Sequence, residues 1–595
     1  MDSWRQVQAI RAILARETGT VHKDHGGRLT IALAYPNSYR VGMSSLALQI
    51  LYRAFNAAPD IVCERVFHSL GPRRDLVNSS VVSLESQTPV REFAVWAFSI
   101  SFEMDYFNVI AMLRQAGLPP LAEERAREAA NPRSGPAYPL LIAGGPGVAS
   151  NPEPMAPIFD AIVIGEVEEL LPRLTAVLRE STGGERVRLL DALEALPGVY
   201  VPERATPMAG GKRIVRQWVK NLDQLEPVSC LYTPDTEFAN RHLIEIARGC
   251  GRGCRFCLAG YVYRPPREQR LGRILGWAQE GMARAARAGS PLDGVGLVSA
   301  AVSDHSEIDA LADALQEAGI RMSVSSMRTD PISVPLVRAL AASGARTLTI
   351  APEAGTERLR RVVHKTQREE DILAAAELAA SLGFPQLKLY YMVGHPTETA
   401  DDIQGIVDLT MKVKAVFRRK MAINATPFVP KPHTPFQWEA MTPSSTVAER
   451  QRLLRRALAP QRIEVSADPP DWAEVQGILA RGDRRLAPVL AEMGQFSVAA
   501  FRAALVQHGL TVVEYLRPRS PTEFLPWEIV ESGVHPQYLR YEHGLAGRGV
   551  DRASRHCPPG AKGCLICGVC SAKLDLAGHA VQFPAVRDLV ETPAG

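Results

Sequence analysis

Cys250, Cys254 and Cys257 stand in Cys250-Gly-Arg-Gly-Cys254-Arg-Phe-Cys257, spaced x3 then x2, directly after the apolar run Leu243-Ile-Glu-Ile-Ala247. A cubane 4Fe-4S cluster takes one thiolate per iron, so three cysteines leave the fourth iron open to a ligand that can react. A ferredoxin loop supplies a fourth cysteine and only passes electrons. Zinc competes for x2-spaced cysteines, but it prefers four protein ligands closed into a tetrahedron. The fourth is missing locally: no histidine follows between Cys254 and Tyr263, and Cys230 has no partner spacing. A second set, Cys557-x6-Cys564-x2-Cys567-x2-Cys570, has four ligands and can close a site. Its x2, x2 run matches a ferredoxin-type loop, so an auxiliary 4Fe-4S cluster is the first expectation and structural zinc the second.

The elements that must position these cysteines follow from the rest of the chain. At 595 residues the chain exceeds the size at which one core stops growing, so several domains are expected. Between Leu29 and about Glu180, short apolar runs (29–34, 95–99, 140–143, 161–164) alternate with helical patterns (44–55, 107–113). Strands alternating with helices predict a doubly wound, Rossmann-like α/β domain over 1–196. Its ligands would sit beyond the carboxyl ends of the strands, where Ser99, Gly144, Gly145 and Gly165-Glu166 fall. For the glycine pair a tight strand-to-loop turn is an equal reading.

Residues 197–241 read as a connector, with 199–201 and 213–218 expected to form a small hairpin. From 242 to about 440 a strand-then-helix unit repeats, with strands at 243–247, 294–299, 321–326, 347–350, 387–392 and 421–427. Six such units predict a partial (β/α)6 barrel, whose site lies at the carboxyl ends of its strands. The cysteine loop follows the first of them. From 441 to 595 the pattern turns helical, ending in the second cysteine set.

The bulk composition is quiet. Lys and Arg number 68 against 64 Asp and Glu, so charge neither demands nor excludes a nucleic-acid partner. Arg452, Arg455, Arg456 and Arg462 line one helix, but no aromatic platform is interleaved, and a solvated face is the expected role. No run of eighteen apolar residues and no secretion-type start are present, so a cytoplasmic protein without membrane contact is expected. Seven of nine cysteines lie in the two tight sets, which suits a reducing compartment.

The loop Gly-Cys-Gly-Arg-Gly-Cys-Arg-Phe-Cys, with Ala351-Pro-Glu-Ala-Gly-Thr-Glu-Arg-Leu-Arg360, Phe428-Val-Pro-Lys-Pro-His-Thr-Pro-Phe-Gln-Trp438 and Cys567-Gly-Val-Cys570, resembles the radical S-adenosylmethionine superfamily. The branch it is most similar to carries a cobalamin-binding-type domain first and has no settled substrate. The resemblance implies that Cys250, Cys254 and Cys257 hold the cluster and that its open iron chelates S-adenosylmethionine. One electron, from an external donor of flavodoxin or ferredoxin type, then yields a 5'-deoxyadenosyl radical. It further implies a cradle for S-adenosylmethionine from Phe256 and the later strand ends. Ser299 stands where the superfamily often has Gly-Gly-Glu; Ser325 and Arg328 end the third strand, with Arg328 a fork for the carboxylate. Glu353 ends the fourth strand, and Gly394 and Pro396 follow the fifth near the adenine. For Arg328 and Glu353 a structural ion pair is an equal reading.

The first domain resembles cobalamin-binding domains, but Pro36-Asn-Ser-Tyr-Arg-Val-Gly42 replaces their Asp-x-His-x-x-Gly, so a histidine cobalt ligand from that loop is ruled out. Cobalamin bound without histidine stays open, as does a domain that has lost it. The expected function is radical generation and attack on an unactivated carbon, with methylation through cobalamin open. Alternatives are a methylthiotransferase acting on RNA or protein, disfavoured because only Cys63 precedes Cys230, and a non-catalytic iron–sulfur protein.

Overall fold

The computed structural model describes residues 3–570 apart from 72–76, 79, 131–137, 182–184, 288, 290, 552–556 and 558–566. The first sheet contains β1 (Leu29–Ser38), β2 (Ile61–Ser69), β3 (Val95–Ser99), β4 (Leu140–Gly144), β5 (Ala161–Val163) and β6 (Val199–Tyr200), in the order β2-β1-β3-β4-β5-β6. All neighbours are parallel except β5 and β6. Alternate residues of each strand feed two cores, as a period of two requires. Ile31, Leu33, Ile142 and Val163 enter one, beneath α1 (Leu46–Asn56) and α2 (Leu171–Ser181). Ala32, Ala34, Phe98, Leu141 and Ile162 enter the other.

That second face is covered in part from the far end of the chain. Val475, Ile478, Leu479, Val489, Phe501 and Leu505 share its core. Phe107 meets the rings of Trp472, Phe496 and Phe501 at 6.1, 5.4 and 5.8 Å. The helical C-terminal region thus completes the doubly wound domain, and the sequence boundary near 441 does not separate two bodies in space.

The second sheet system runs β7 (Arg241–Glu245), β8 (Gly294–Val298), β9 (Met322–Ser323), β10 (Thr347–Glu353), β11 (Gln386–Val393), β12 (Lys420–Pro427) and β13 (Ile463–Ser466). Every pairing is parallel and neighbours follow chain order, with a Met327–Ile350 bridge joining the segment after β9 to β10. This is the expected open barrel with a seventh strand. β13 is short and carries Glu464, so it has no apolar run to announce it.

The expected hairpin in 197–241 does not form. Val199–Tyr200 pairs antiparallel with β5, and Ile214–Val215 pairs parallel with Val530–Glu531. Val199–Tyr200 extends the edge of the first sheet, while Ile214–Val215 and Val530–Glu531 form a two-stranded sheet of their own, so each pairs with a partner distant in sequence rather than with the other. Among the described residues no helix is long and apolar enough to cross a membrane.

Candidate active site

The loop of Cys250, Cys254 and Cys257 leaves β7 and is held from four directions. Gly249 turns the chain at φ 88°, and a Cβ there would strike the Tyr263 carbonyl at 2.3 Å, so only glycine fits. Arg252 forks onto Asp304 at 2.6 and 2.7 Å. Arg255, wholly buried, takes Glu542 at 3.1 Å and donates to the carbonyls of Arg361, Val362 and Val550. Glu542 lies on α3 (Pro536–Gly547), so the C-terminal region reaches the loop directly. His364 pairs with Asp551, and the Cys557 amide donates to the Gly251 carbonyl at 3.0 Å.

Burial and the neighbouring Cys254 push up the Cys250 thiol, and the same causes push the Cys257 thiol up to about 12. Two thiols so raised ionise only against bound positive charge, which is the condition a metal cluster meets. Among the described residues no three His, Cys, Asp or Glu side chains are placed to hold a single metal ion. A cubane asks for a wider triangle, because each cysteine takes a different iron.

A cavity of about 280 Å³ adjoins the loop, lined by Cys250, Arg252, Ser299, Asp304 and Cys557 among others. Ser299 faces this cavity, and its hydroxyl accepts the Ala301 amide. Phe256 packs with Ala354, Val363, Phe428 and Phe436, and its ring lies 6.0 Å from that of His395. That contact brings Gly394 and Pro396 beside the loop, and Glu398 fastens their turn by accepting the Gly394 amide at 2.8 Å. Ser325 is exposed and lines neither this cavity nor the larger one described below. Arg328 pairs with Asp330 at 3.2 Å and Glu353 with Lys365 at 3.0 Å, the structural reading of both residues. Burial opposes the charge of Arg328, but nearby Cys254, Asp330 and Asp304 hold its guanidinium firmly protonated.

A second cavity, about 400 Å³, lies between the first sheet and the barrel. Ser99, Gly144, Gly145, Gly165 and Glu166 form one wall, and Arg248, Gly249, Tyr263 and Ser299 the other. Its inner end runs under α1 and α2 against Leu46, Ile50, Phe55, Leu174 and Leu178. Gly145 sits at φ 99°, and a Cβ there would meet the Ile100 carbonyl at 2.5 Å, so the glycine pair is both a turn and a cavity wall. The two cavities share Ala247, Gly249 and Ser299.

The clamp across this cleft has no signature in the sequence. Glu166 receives Arg267 at 2.7 and 2.9 Å, Arg248 at 3.1 Å and the Val219 amide at 2.8 Å. Arg248 also reaches Glu168 at 2.8 Å and Glu245 at 2.7 Å. The one hint is position, since Glu166 follows β5 by three residues and Arg248 precedes Cys250 by two.

Of the C-terminal cysteines, Cys557 lies at the radical loop, and Cys567 is buried among Tyr261, Trp438, Trp527 and Tyr538. Cys570 is half-buried, and Cys564 lies outside the described residues. Cys63 is enclosed in β2, where burial holds its thiol protonated.

Residues 47–202 match the family described as "Radical SAM proteins, N-terminal", and residues 244–410 match "Radical SAM superfamily". An uncharacterized protein of Methanocaldococcus jannaschii is 33% identical over 77% of this chain and 90% of its own length. A tRNA-2-methylthio-N(6)-dimethylallyladenosine synthase of Corynebacterium efficiens is 22% identical over 40% of this chain and 47% of its own. Among solved structures, the radical S-adenosylmethionine methyltransferase TsrM from Kitasatospora setae aligns at 15% identity and TM-score 0.46, covering 69% of this chain and 75% of that one. Three cysteines on a loop after the first barrel strand, over the matched residues, place the chain: it belongs to the radical S-adenosylmethionine superfamily.

Proposed function

We propose that this enzyme cleaves S-adenosylmethionine reductively at Cys250, Cys254 and Cys257 and directs the product radical to a ligand held in the cleft between its two α/β sheets. The observation that carries this is the shared wall of the two cavities: Ala247, Gly249 and Ser299 face both the cysteine loop and the first sheet's strand ends. When bound, the cluster and its cosubstrate supply a 5'-deoxyadenosyl radical able to take hydrogen from an unactivated carbon. The chain's own contribution is placement. Arg252 and Arg255 fix the loop, and Phe256 packs it against His395 between Gly394 and Pro396.

Cobalamin is the proposed second cofactor. The residues fit it in three respects. Ser99, Gly144 and Gly145 present a low rim at the strand ends, the inner end is apolar, and the cavity opens toward Ser299 on the barrel side. Those residues would hold it on the sheet side, where it would supply methyl transfer. The test is incubation with hydroxocobalamin and desalting: retained corrin bands are expected, and their absence sinks the methylation branch. The methylthiotransferase reading gains nothing from the structure, because Cys63 is walled into its sheet.

A second 4Fe-4S cluster at the C-terminal cysteines completes the proposal, with an external flavodoxin- or ferredoxin-type donor as the electron source. Replacing Cys567 with alanine is expected to remove about four irons per chain. Loss of a single zinc instead would make the centre structural.

A further inference from the structure

The short ladder that follows the cysteine loop presents two different faces. Arg267–Glu268 pairs antiparallel with Ala247–Arg248, with Arg267 opposite Arg248 and Glu268 opposite Ala247. Successive side chains of a strand alternate between its faces. Arg267 and Arg248 accordingly both reach Glu166 across the cleft, whereas Glu268 and Ala247 line the cavity of about 280 Å³ beside Cys250.

The charges on that cavity wall do not balance. Arg252 is the one lysine or arginine among its described lining residues, and Asp304 takes its guanidinium at 2.6 and 2.7 Å. His305 is committed as well, Nε2 to the Gln269 carbonyl at 3.0 Å and Nδ1 to the Glu307 amide at 3.1 Å. Glu268 is half-buried, and its two oxygens accept the Ser306 amide at 3.0 Å and the Ser306 hydroxyl at 2.6 Å. Among the described residues no lysine, arginine or histidine pairs with it. A carboxylate drawn partly out of water and met by neutral donors attracts any cation that enters the same cavity, and the low dielectric of the wall strengthens the attraction.

We propose that Glu268 is a specificity-determining residue: its carboxylate faces the sulfonium of S-adenosylmethionine and makes the cavity select that cation over the neutral thioether S-adenosylhomocysteine. The inference rests on the S-adenosylmethionine reading above. With the amino and carboxylate groups of the cosubstrate given to the open iron, the sulfonium is the charge it still carries, and Glu268 is the wall carboxylate without a cationic partner. The thioether has the same shape less one methyl group and lacks the charge, so the pair of ligands isolates what Glu268 contributes. Glu268 makes and breaks no bond.

The test is equilibrium dialysis of the iron-loaded, oxidised full chain against labelled S-adenosylmethionine and labelled S-adenosylhomocysteine, with no electron supplied and so no turnover. The parent is expected to hold S-adenosylmethionine more tightly by about tenfold; equal affinities overturn the proposal whatever the variants do. In Glu268→Gln, iron per chain should match the parent, the affinity for S-adenosylmethionine should fall about tenfold, and that for S-adenosylhomocysteine less than about threefold. Equal losses for both ligands, or no loss for either, overturn it. Ser306→Ala removes the hydroxyl donor and keeps the carboxylate, so the preference should persist; its collapse there would trace the effect to local packing and contradict the counter-charge. Formation of 5'-deoxyadenosine is scored separately: a parent that shows the preference and forms none sinks the radical reading and leaves the cation selection standing.

Discussion

Replacing Glu542 with alanine should destabilise the protein by about 3–5 kcal/mol and strip iron from the radical site, although Glu542 is 285 residues beyond the last cluster cysteine. The reason is that it faces Arg255, which sits between Cys254 and Phe256 with neither side chain of the pair reached by solvent. Removing one partner leaves a buried charge with only the carbonyls of Arg361, Val362 and Val550 to hold it. Glu542→Gln keeps the shape and should cost less. A double-mutant cycle with Arg255→Met, scored by denaturant unfolding and by iron per chain, measures the coupling. Additive effects would mean that α3 does not brace the loop.

The second large effect is expected at Glu166. Its loss unpairs Arg267 and leaves Arg248 on Glu168 and Glu245 alone, with a cost again of about 3–5 kcal/mol. The expected signature is a cleft that opens, read as faster proteolysis between the two sheets and as lost retention of any cleft ligand. The same residue predicts a pH dependence. Burial opposes ionisation of Glu166, but Arg267 and Arg248 outweigh it and hold the carboxyl below its ordinary value of 4.5. A depressed carboxylate contributes stability that is present above the unfolded value and lost as pH falls through the folded one. Stability should therefore fall with acid below about pH 4.5 in the parent, and less steeply in Glu166→Gln; equal slopes would exclude the clamp as the cause.

What was legible in the sequence was whatever an unbroken apolar run or a cysteine spacing announces. Val95–Ser99 and Leu140–Gly144 are read correctly because both faces of each strand are buried. Ile61–Ser69 is missed because Glu64 and Arg65 interrupt it. Their burial depends on partners such as Glu17, Ser83 and Glu85, none of which a local pattern contains. The cavity walls at Ser99, Gly144 and Ser299 follow from the rule that sites lie at strand ends. Arg328 and Glu353 obey the same rule, yet each finds an ion-pair partner within twelve residues. The contacts that matter most to the loop, Arg255–Glu542, Gly251–Cys557 and Gly253–Arg264, join segments whose pairing only the folded chain specifies.

The open iron is the centre of this account, and one measurement bears on it directly. The protein is reconstituted anaerobically with iron and sulfide, reduced with dithionite, given S-adenosylmethionine, and assayed for 5'-deoxyadenosine. The parent should form it, and Cys250→Ala should not. No product from a fully iron-loaded parent, or equal product from Cys250→Ala, would contradict the assignment.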